Sequence, residues 1–125
     1  MIISKTNVIV GNTIALTTIS SGALANVVDP NFSKVLSSTS NPFEFTVEAV
    51  DSSQYVALHG LNLPVGTVVN VTGTSFVKTF TLTRAIKNLM FYVESAVTPG
   101  DLSIEFVGAG TKTISYMQAG LVSQI

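Results

Sequence analysis

The sequence predicts an all-β fold: an antiparallel two-sheet jelly-roll β-sandwich of about eight to nine strands. Valine, threonine and serine dominate the composition, whereas the helix formers glutamate, lysine and glutamine are sparse. Segments of strand length recur about every ten residues, a spacing typical of sandwiches and barrels. The 125 residues suffice for one core. Residues 1–125 are therefore predicted to form a single domain, with 1–6 and 119–125 as candidate arms at subunit contacts.

The central segment of this predicted sandwich is QYVALHGLNLPVGTVVNV, residues 54–71. Its first part, 54–58, is an apolar run that is typical of a strand buried on both faces. Residues 59–64 break the pattern, and Val65-Gly66 turns the chain. The β-branched run 67–71 is then a second strand. A strand, an irregular corner and a returning strand would form the centre of the sandwich.

The clearest strand before this segment is 43–50, in which apolar and polar side chains alternate. Alternation with a period of two predicts a sheet that faces water on one side. Shorter strands are predicted upstream, with turns at Gly11-Asn12 and 29–31. These upstream strands cover residues 8–10, 13–19 and 25–28, and residues 33–37 form either a short strand or an irregular crossing.

Four further strands are predicted after the central segment, and they cover residues 75–83, 89–94, 102–107 and 112–118. In the first of them Lys78 shares a face with Phe76, Phe80 and Leu82. We therefore expect Lys78 near a sheet edge, where its ammonium group can reach water. Residues 84–87 are helix-like, but the segment is too short to affect the predicted fold class. Turns are predicted at 98–101 and 108–110.

Composition excludes several classes of function. The chain has no cysteine, so it has neither disulfides nor thiolate metal sites. Its net charge is −1 with scattered lysines and arginine, which argues against a nucleic-acid or anionic-membrane surface. Mean hydropathy is +0.52, yet no apolar run approaches the ~18 residues of a membrane span, and the N-terminus does not resemble a signal peptide.

The charged fraction is only 10%, against roughly 25% in an ordinary globular domain. Such a surface is typical of a protein that packs against neighbours. The alternative, which stays equally open, is that serine and threonine simply replace charged residues on the β surface.

Three motifs resemble the discoidin-like (galactose-binding-like) jelly roll, in the variant found in structural proteins of tailed bacteriophages. They are TTISSGALANVVDPNFSKVLSS at 17–38, YVALHGLNL at 55–63 and ISYMQAG at 114–120. The usual tryptophan of the first motif falls at Leu36, and the chain has no tryptophan. Because exposed aromatic rings stack on sugars in lectin-like members, their scarcity weakens a glycan-binding interpretation but leaves the fold expectation intact.

The resemblance implies a non-enzymatic virion component, in the tail, neck or capsid decoration, that is made in the host cytoplasm and assembles as a symmetric oligomer. Its partners would be other copies of itself and other virion proteins. The alternative hypothesis is a carbohydrate-binding module that recognises a host surface glycan through loops at one end of the sandwich. The candidate glycan or partner contacts are Asn31, Phe32, Asn41, His59 and Asn62.

No catalytic residue, metal ligand or cofactor site is predicted. His59 is the only histidine, no Gly-x-Ser-x-Gly elbow is present, and a metal site needs several ligands. Glu44 and Glu48 lie four residues apart on one strand face, about 13 Å, which is too far for a glycosidase pair. The oxygens of Asn26, Asp29 and Asn31 are too few for Ca²⁺. A pairing of carboxylates from distant segments stays open.

Overall fold

The computed structural model describes residues 2–3, 9–15, 35–49, 53–73, 77–97, 100–120 and 122–123. These residues form twelve β-strands and no helix, and every strand pairing is antiparallel, so the all-β prediction is confirmed. No helix long and apolar enough to span a membrane was found in the described part of the chain. The strands are β1 (Ile2–Ile3), β2 (Ile9–Ala15), β3 (Leu36–Ser38), β4 (Phe43–Ala49), β5 (Ser53–His59), β6 (Val68–Thr72), β7 (Val77–Thr81), β8 (Asn88–Val97), β9 (Gly100–Val107), β10 (Lys112–Ile114), β11 (Tyr116–Gly120) and β12 (Val122–Ser123).

Two main sheets contain the eight longer strands. One has five strands in the order β2-β4-β9-β6-β7, and the other has three in the order β11-β5-β8. The short strands pair separately as β1-β12 and β10-β3. The number of longer strands agrees with the predicted eight to nine, and the two short pairs bring the number of described strands to twelve. The predicted strand 25–28 and the candidate contacts Asn31 and Phe32 lie outside the described residues.

The core lies between the two main sheets. Phe43, Phe45 and Phe106 are fully buried, and their ring centroids lie 5.5 to 6.4 Å apart in tilted arrangements. Val56 and Leu58 of β5 join the same buried cluster, and so does Leu36, at the position of the missing tryptophan. The polar residues Glu44, Thr46 and Glu48 alternate with the buried side chains of β4, as the sequence predicts.

Several strand boundaries differ from the sequence prediction, and β9 begins at Gly100, within the predicted turn at 98–101. Gly11-Asn12, predicted as a turn, lies inside β2, where the pairing with β4 shifts register between Val10 and Thr13. An irregularity of this kind absorbs extra residues without ending the strand. The predicted strand 112–118 is two strands that belong to different sheets, β10 and β11, and Ser115 separates them.

Strand β7 is the last strand of the five-stranded sheet, and all five of its residues are exposed. Lys78 is therefore at a sheet edge, as predicted. Phe80 is also exposed, although it pairs with the buried Val69. Residues 84–87 form part of the β7–β8 connection and contain no helix.

A sharp corner follows β5. Gly60 has φ +65°, in the left-handed region, and the Ser115 backbone N–H donates to the His59 carbonyl at 3.0 Å. Asn62 does not adopt a left-handed conformation, because no non-glycine residue in the described ranges has a positive φ. Asn62 instead exchanges two backbone hydrogen bonds with Thr113, of 3.0 and 3.1 Å.

A buried lysine joins two loops beside this corner. Lys112 is fully buried, and its Nζ donates to the carbonyls of Ser40 at 2.7 Å and Gly110 at 3.0 Å. Burial lowers the pKa of Lys112, because desolvation disfavours the charged form. The two hydrogen bonds satisfy the buried group and fix the β3–β4 loop against the turn after β9.

We predict that Gly60→Ala destabilises the fold much more than Gly66→Ala. Both glycines have positive φ, which costs a non-glycine residue about 1–2 kcal/mol. A Cβ at Gly60 would also collide with the Ser115 side chain, whereas a Cβ at Gly66 would have no atom within 4 Å. Overpacking should add about 1–3 kcal/mol to the loss in Gly60→Ala. Chemical denaturation of both variants measures the difference, and equal losses would contradict the close contact with Ser115.

Candidate functional site

The candidate site lies on the outer face of the three-stranded sheet. Val56, Leu58 and Met117 point into the core, so the residues that alternate with them point away from it. The strand register places these outward residues in rows, since directly paired residues share a face. The first row is Tyr116–His59–Asn88 and the second is Gln118–Ala57–Met90.

The first row is held by contacts between its three side chains. The His59 Nδ1–H donates to Asn88 Oδ1 at 3.1 Å. The His59 ring stacks on Tyr116, with 6.0 Å between the ring centroids and 23° between the planes. His59 is thus held from both neighbouring strands, and its orientation is defined before any ligand binds.

A shallow hollow of about 180 Å³ opens beside this row, lined by Ala57, His59, Asn88, Leu89, Met90 and Gln118. We call these residues, with Tyr116, the His59 shelf. Met90 is 49% exposed and offers an apolar wall. None of the lining residues is acidic, lysine or arginine. The hollow is smaller than the roughly 300–1,000 Å³ of drug-binding pockets, so it has room for one small ring.

Tyr55 supports the shelf from the next row. Its side chain is fully buried and hydrogen-bonds to the side chain of Gln118. Burial raises the pKa of Tyr55, and the neighbouring Tyr116 raises it further, while the bond with Gln118 opposes the shift. The Tyr55 hydroxyl therefore stays protonated and fixes the Gln118 amide.

The shelf combines apolar surface with amide groups. A sugar ring has the complementary character, since its C–H faces are apolar and its rim carries hydroxyls. Aromatic and thioether side chains can cover the C–H face. Amides both donate and accept hydrogen bonds, as hydroxyls do.

The sequence-predicted contacts are only partly brought together. His59 is the centre of the shelf. Asn41 is exposed, and its Oδ1 accepts from the Gly108 N–H at 3.0 Å, which ties it to the turn after β9. Asn62 is exposed on the corner after β5. All three lie at the end of the sandwich where β5 and β9 finish, but only His59 lines the shelf.

Asn88, Gln118 and Tyr116 are not among the contacts that sequence analysis named. Their proximity to His59 depends on the register of β5 against β8 and β11, and no local pattern encodes that register. Of the other tyrosines, Tyr55 is buried and Tyr92 is exposed.

A second hollow, on the outer face of the five-stranded sheet, contains the carboxylate pairing that the sequence left open. Glu44 lies directly opposite Glu105. Asn70 Nδ2 donates to Glu105 Oε1 at 2.8 Å, and Thr79 Oγ1 donates to Asn70 Oδ1 at 2.8 Å. Burial raises the pKa of Glu44, and a hydrogen bond with Glu105 and its negative charge raise it further. No group of three or more potential metal ligands occurs among the described residues.

Comparison with protein-family models found no match, and comparison with curated proteins found none either. Solved structures do match. The lectin domain of lectinolysin, complexed with Lewis B antigen, superposes with a TM-score of 0.76 at 12% identity, over 97% of this chain and 100% of that one. The chain has the same antiparallel jelly-roll fold as this lectin domain.

Two further structures with this fold agree. A fucose-binding module from Streptococcus pneumoniae gives a TM-score of 0.69 at 11% identity, over 91% of this chain and 96% of that one. A family 32 carbohydrate-binding module from Clostridium perfringens, in complex with galactose, gives 0.57 at 10% identity, over 86% and 98%. At identities this low, the superpositions establish the fold alone. The residues of the site must therefore be identified from this chain's own side chains.

We predict that Glu44→Gln stabilises the protein at pH 7, by a few tenths of a kcal/mol, the scale of an exposed charge pair. A folded-state pKa above the unfolded value means that the stabilising contribution is present at low pH and is lost as pH rises through the folded pKa. The negative charge of Glu105 opposes ionisation of Glu44, and glutamine removes that repulsion at high pH. Below the pKa of Glu44 the native side chain donates its own hydrogen bond, so the advantage should disappear.

Thermal unfolding of both proteins from pH 3 to 8 measures this effect. A difference in stability that stays constant across the range would contradict a hydrogen bond donated by protonated Glu44 to Glu105.

Proposed function

We propose that this protein is a non-enzymatic carbohydrate-binding module and that the His59 shelf binds a neutral sugar. The observation that carries the proposal is the row in which His59 stacks on Tyr116 and donates to Asn88. It presents ring surface and amide groups side by side, without a charged group. The virion component predicted from the sequence is therefore the second hypothesis here, behind the glycan-binding alternative.

The fold likeness supports this order. The three compared structures are a lectin domain complexed with Lewis B antigen, a fucose-binding module and a module in complex with galactose. Fold alone does not determine function. The proposal therefore depends on the side chains of the shelf, and the likeness adds that these three proteins of similar fold bind sugars.

The chemistry of the shelf sets the mode of binding. The C–H face of a pyranose would lie on Met90 and the ring edge of Tyr116, and ring hydroxyls would bond to Asn88 and Gln118. Because the lining is uncharged, sugar specificity would come from the positions of hydroxyls. The hollow is shallow, so a single site should bind weakly, with Kd near 1 mM or about −4 kcal/mol.

Weak single sites become effective when several are presented together. A symmetric oligomer in a virion would present the shelf in this way, and the exposed edge strand β7 is available for contacts between copies. The virion location, the oligomer and the single-domain boundaries stay predictions from the sequence.

We predict that His59→Ala and Asn88→Ala each weaken glycan binding about tenfold, since each removes a hydrogen bond on which the arrangement of the shelf depends. A glycan array probed with the multivalent labelled protein identifies the ligand, and titration calorimetry with that glycan measures the loss. Asn70→Ala is the matched control, because it removes an amide from the outer face of the other sheet.

Melting temperatures of all three variants separate loss of binding from loss of folding. The proposal is overturned if the array gives no hits at high protein concentration. It is also overturned if the shelf variants bind as tightly as the control does.

A further inference from the structure

A third hollow lies at the corner after β5, and its residues are next to those of the His59 shelf along the chain. It has a volume of about 340 Å³ and is lined by Leu61, Asn62, Leu63, Ala85, Ile86 and Lys87. We call these residues the corner hollow. Lys87 lines it, and the next residue, Asn88, lines the shelf. The two hollows therefore follow one another at the start of β8.

The walls of the corner hollow are fixed by backbone hydrogen bonds. The Leu61 N–H donates to the Lys87 carbonyl at 2.9 Å, which joins the corner to the β7–β8 connection. Asn62 is paired with Thr113 through two further backbone bonds. Leu61 and Leu63 are only 3% and 5% exposed and form an apolar floor. A ligand would therefore meet a preformed surface, which lowers the entropic cost of binding.

Positive charge is concentrated in the part of the chain that supplies the residues of this hollow. Between Asp51 and Glu94 the sequence contains no acidic residue, and its charged side chains are Lys78, Arg84 and Lys87. These three side chains carry +3 and the whole chain carries −1, so the rest of the chain carries −4. The charges of the molecule are thus segregated along the chain.

The ammonium group of Lys87 is available to a ligand. Lys87 and Arg84 are both exposed, and within the described residues neither side chain forms a hydrogen bond or an ion pair. The carboxylates Glu44 and Glu105 lie on the outer face of the five-stranded sheet. A cation without a partner beside an apolar floor attracts an anionic group.

We propose that the corner hollow binds an acidic sugar unit, one that bears a carboxylate or a sulfate, attached to the neutral sugar in the His59 shelf. This inference rests on the proposed glycan-binding function and adds the class of glycan. The C–H face of the acidic unit lies on Leu61 and Leu63, its hydroxyls bond to the Asn62 amide, and its anionic group bonds to Lys87.

A sugar fits this hollow better than a polyanion does. Nucleic acids and anionic membranes are bound by extended basic surfaces, whereas Lys87 is the one charged residue that lines the hollow. The apolar floor and the amide are suited to a sugar ring instead. The net charge of −1 would also repel an extended polyanion.

The test uses an array on which each neutral oligosaccharide is printed beside its sialylated and its sulfated form. The wild-type protein should bind an acidic form about tenfold more tightly than its neutral parent, which corresponds to one charge-assisted hydrogen bond. Lys87→Gln should abolish this preference and leave the neutral form bound as before. Lys78→Gln is the matched control, because this substitution removes the same charge from β7, outside the hollow.

The outcomes separate the two proposals. Equal binding of neutral and acidic forms by the wild-type protein overturns the inference and leaves the glycan-binding function standing. The same loss in Lys78→Gln as in Lys87→Gln overturns it in favour of a general charge effect. The wild-type protein could instead bind phosphatidylserine vesicles, lose that binding in Lys87→Gln and show no preference for acidic glycans. That result overturns the inference in favour of a lipid surface. Absence of binding to every glycan overturns both proposals.

Discussion

The contact between Gly60 and Ser115 is the constraint on which the rest of the structure depends. At this point β5 leaves the three-stranded sheet, and the chain crosses to β6 in the five-stranded sheet. Because a side chain at Gly60 would collide with Ser115, the turn brings β5 against the junction of β10 and β11. The Ser115 N–H then bonds to the His59 carbonyl. This contact sets the register that places Tyr116 opposite His59 and so forms the shelf.

The parts of the fold that sequence analysis predicted are those with a local signal. Alternation from Phe43 to Glu48 identified β4 and its buried face, and the apolar run at Tyr55–Leu58 identified a strand buried on both faces. The errors have a shared physical cause. Gly11-Asn12 has the composition of a turn, but pairing with β4 keeps it within β2. Ser115 has no local signal for the change of sheet, because tertiary contacts with Gly60 cause it.

The candidate site was predictable only in part for the same reason. His59 and Asn62 are noticeable from sequence because they interrupt an apolar run, and His59 does line the shelf. Asn88 is 29 residues away from His59, and Tyr116 is farther, so strand register alone unites them. The pairing of Glu44 with Glu105 depends likewise on the register of β4 against β9. Sequence patterns indicate which residues face outward, and long-range pairing decides which of them meet.

The measurement that most directly tests glycan binding at the His59 shelf is a ¹H–¹⁵N NMR titration of the whole protein with the strongest ligand from the array. The backbone amide signals of His59, Asn88 and Gln118 should shift progressively as ligand is added, together with the histidine ring signals. Signals from the outer face of the five-stranded sheet, such as Asn70, should stay in place. Shifts centred on Asn70 and Glu105, with unchanged signals from the shelf, would contradict the account.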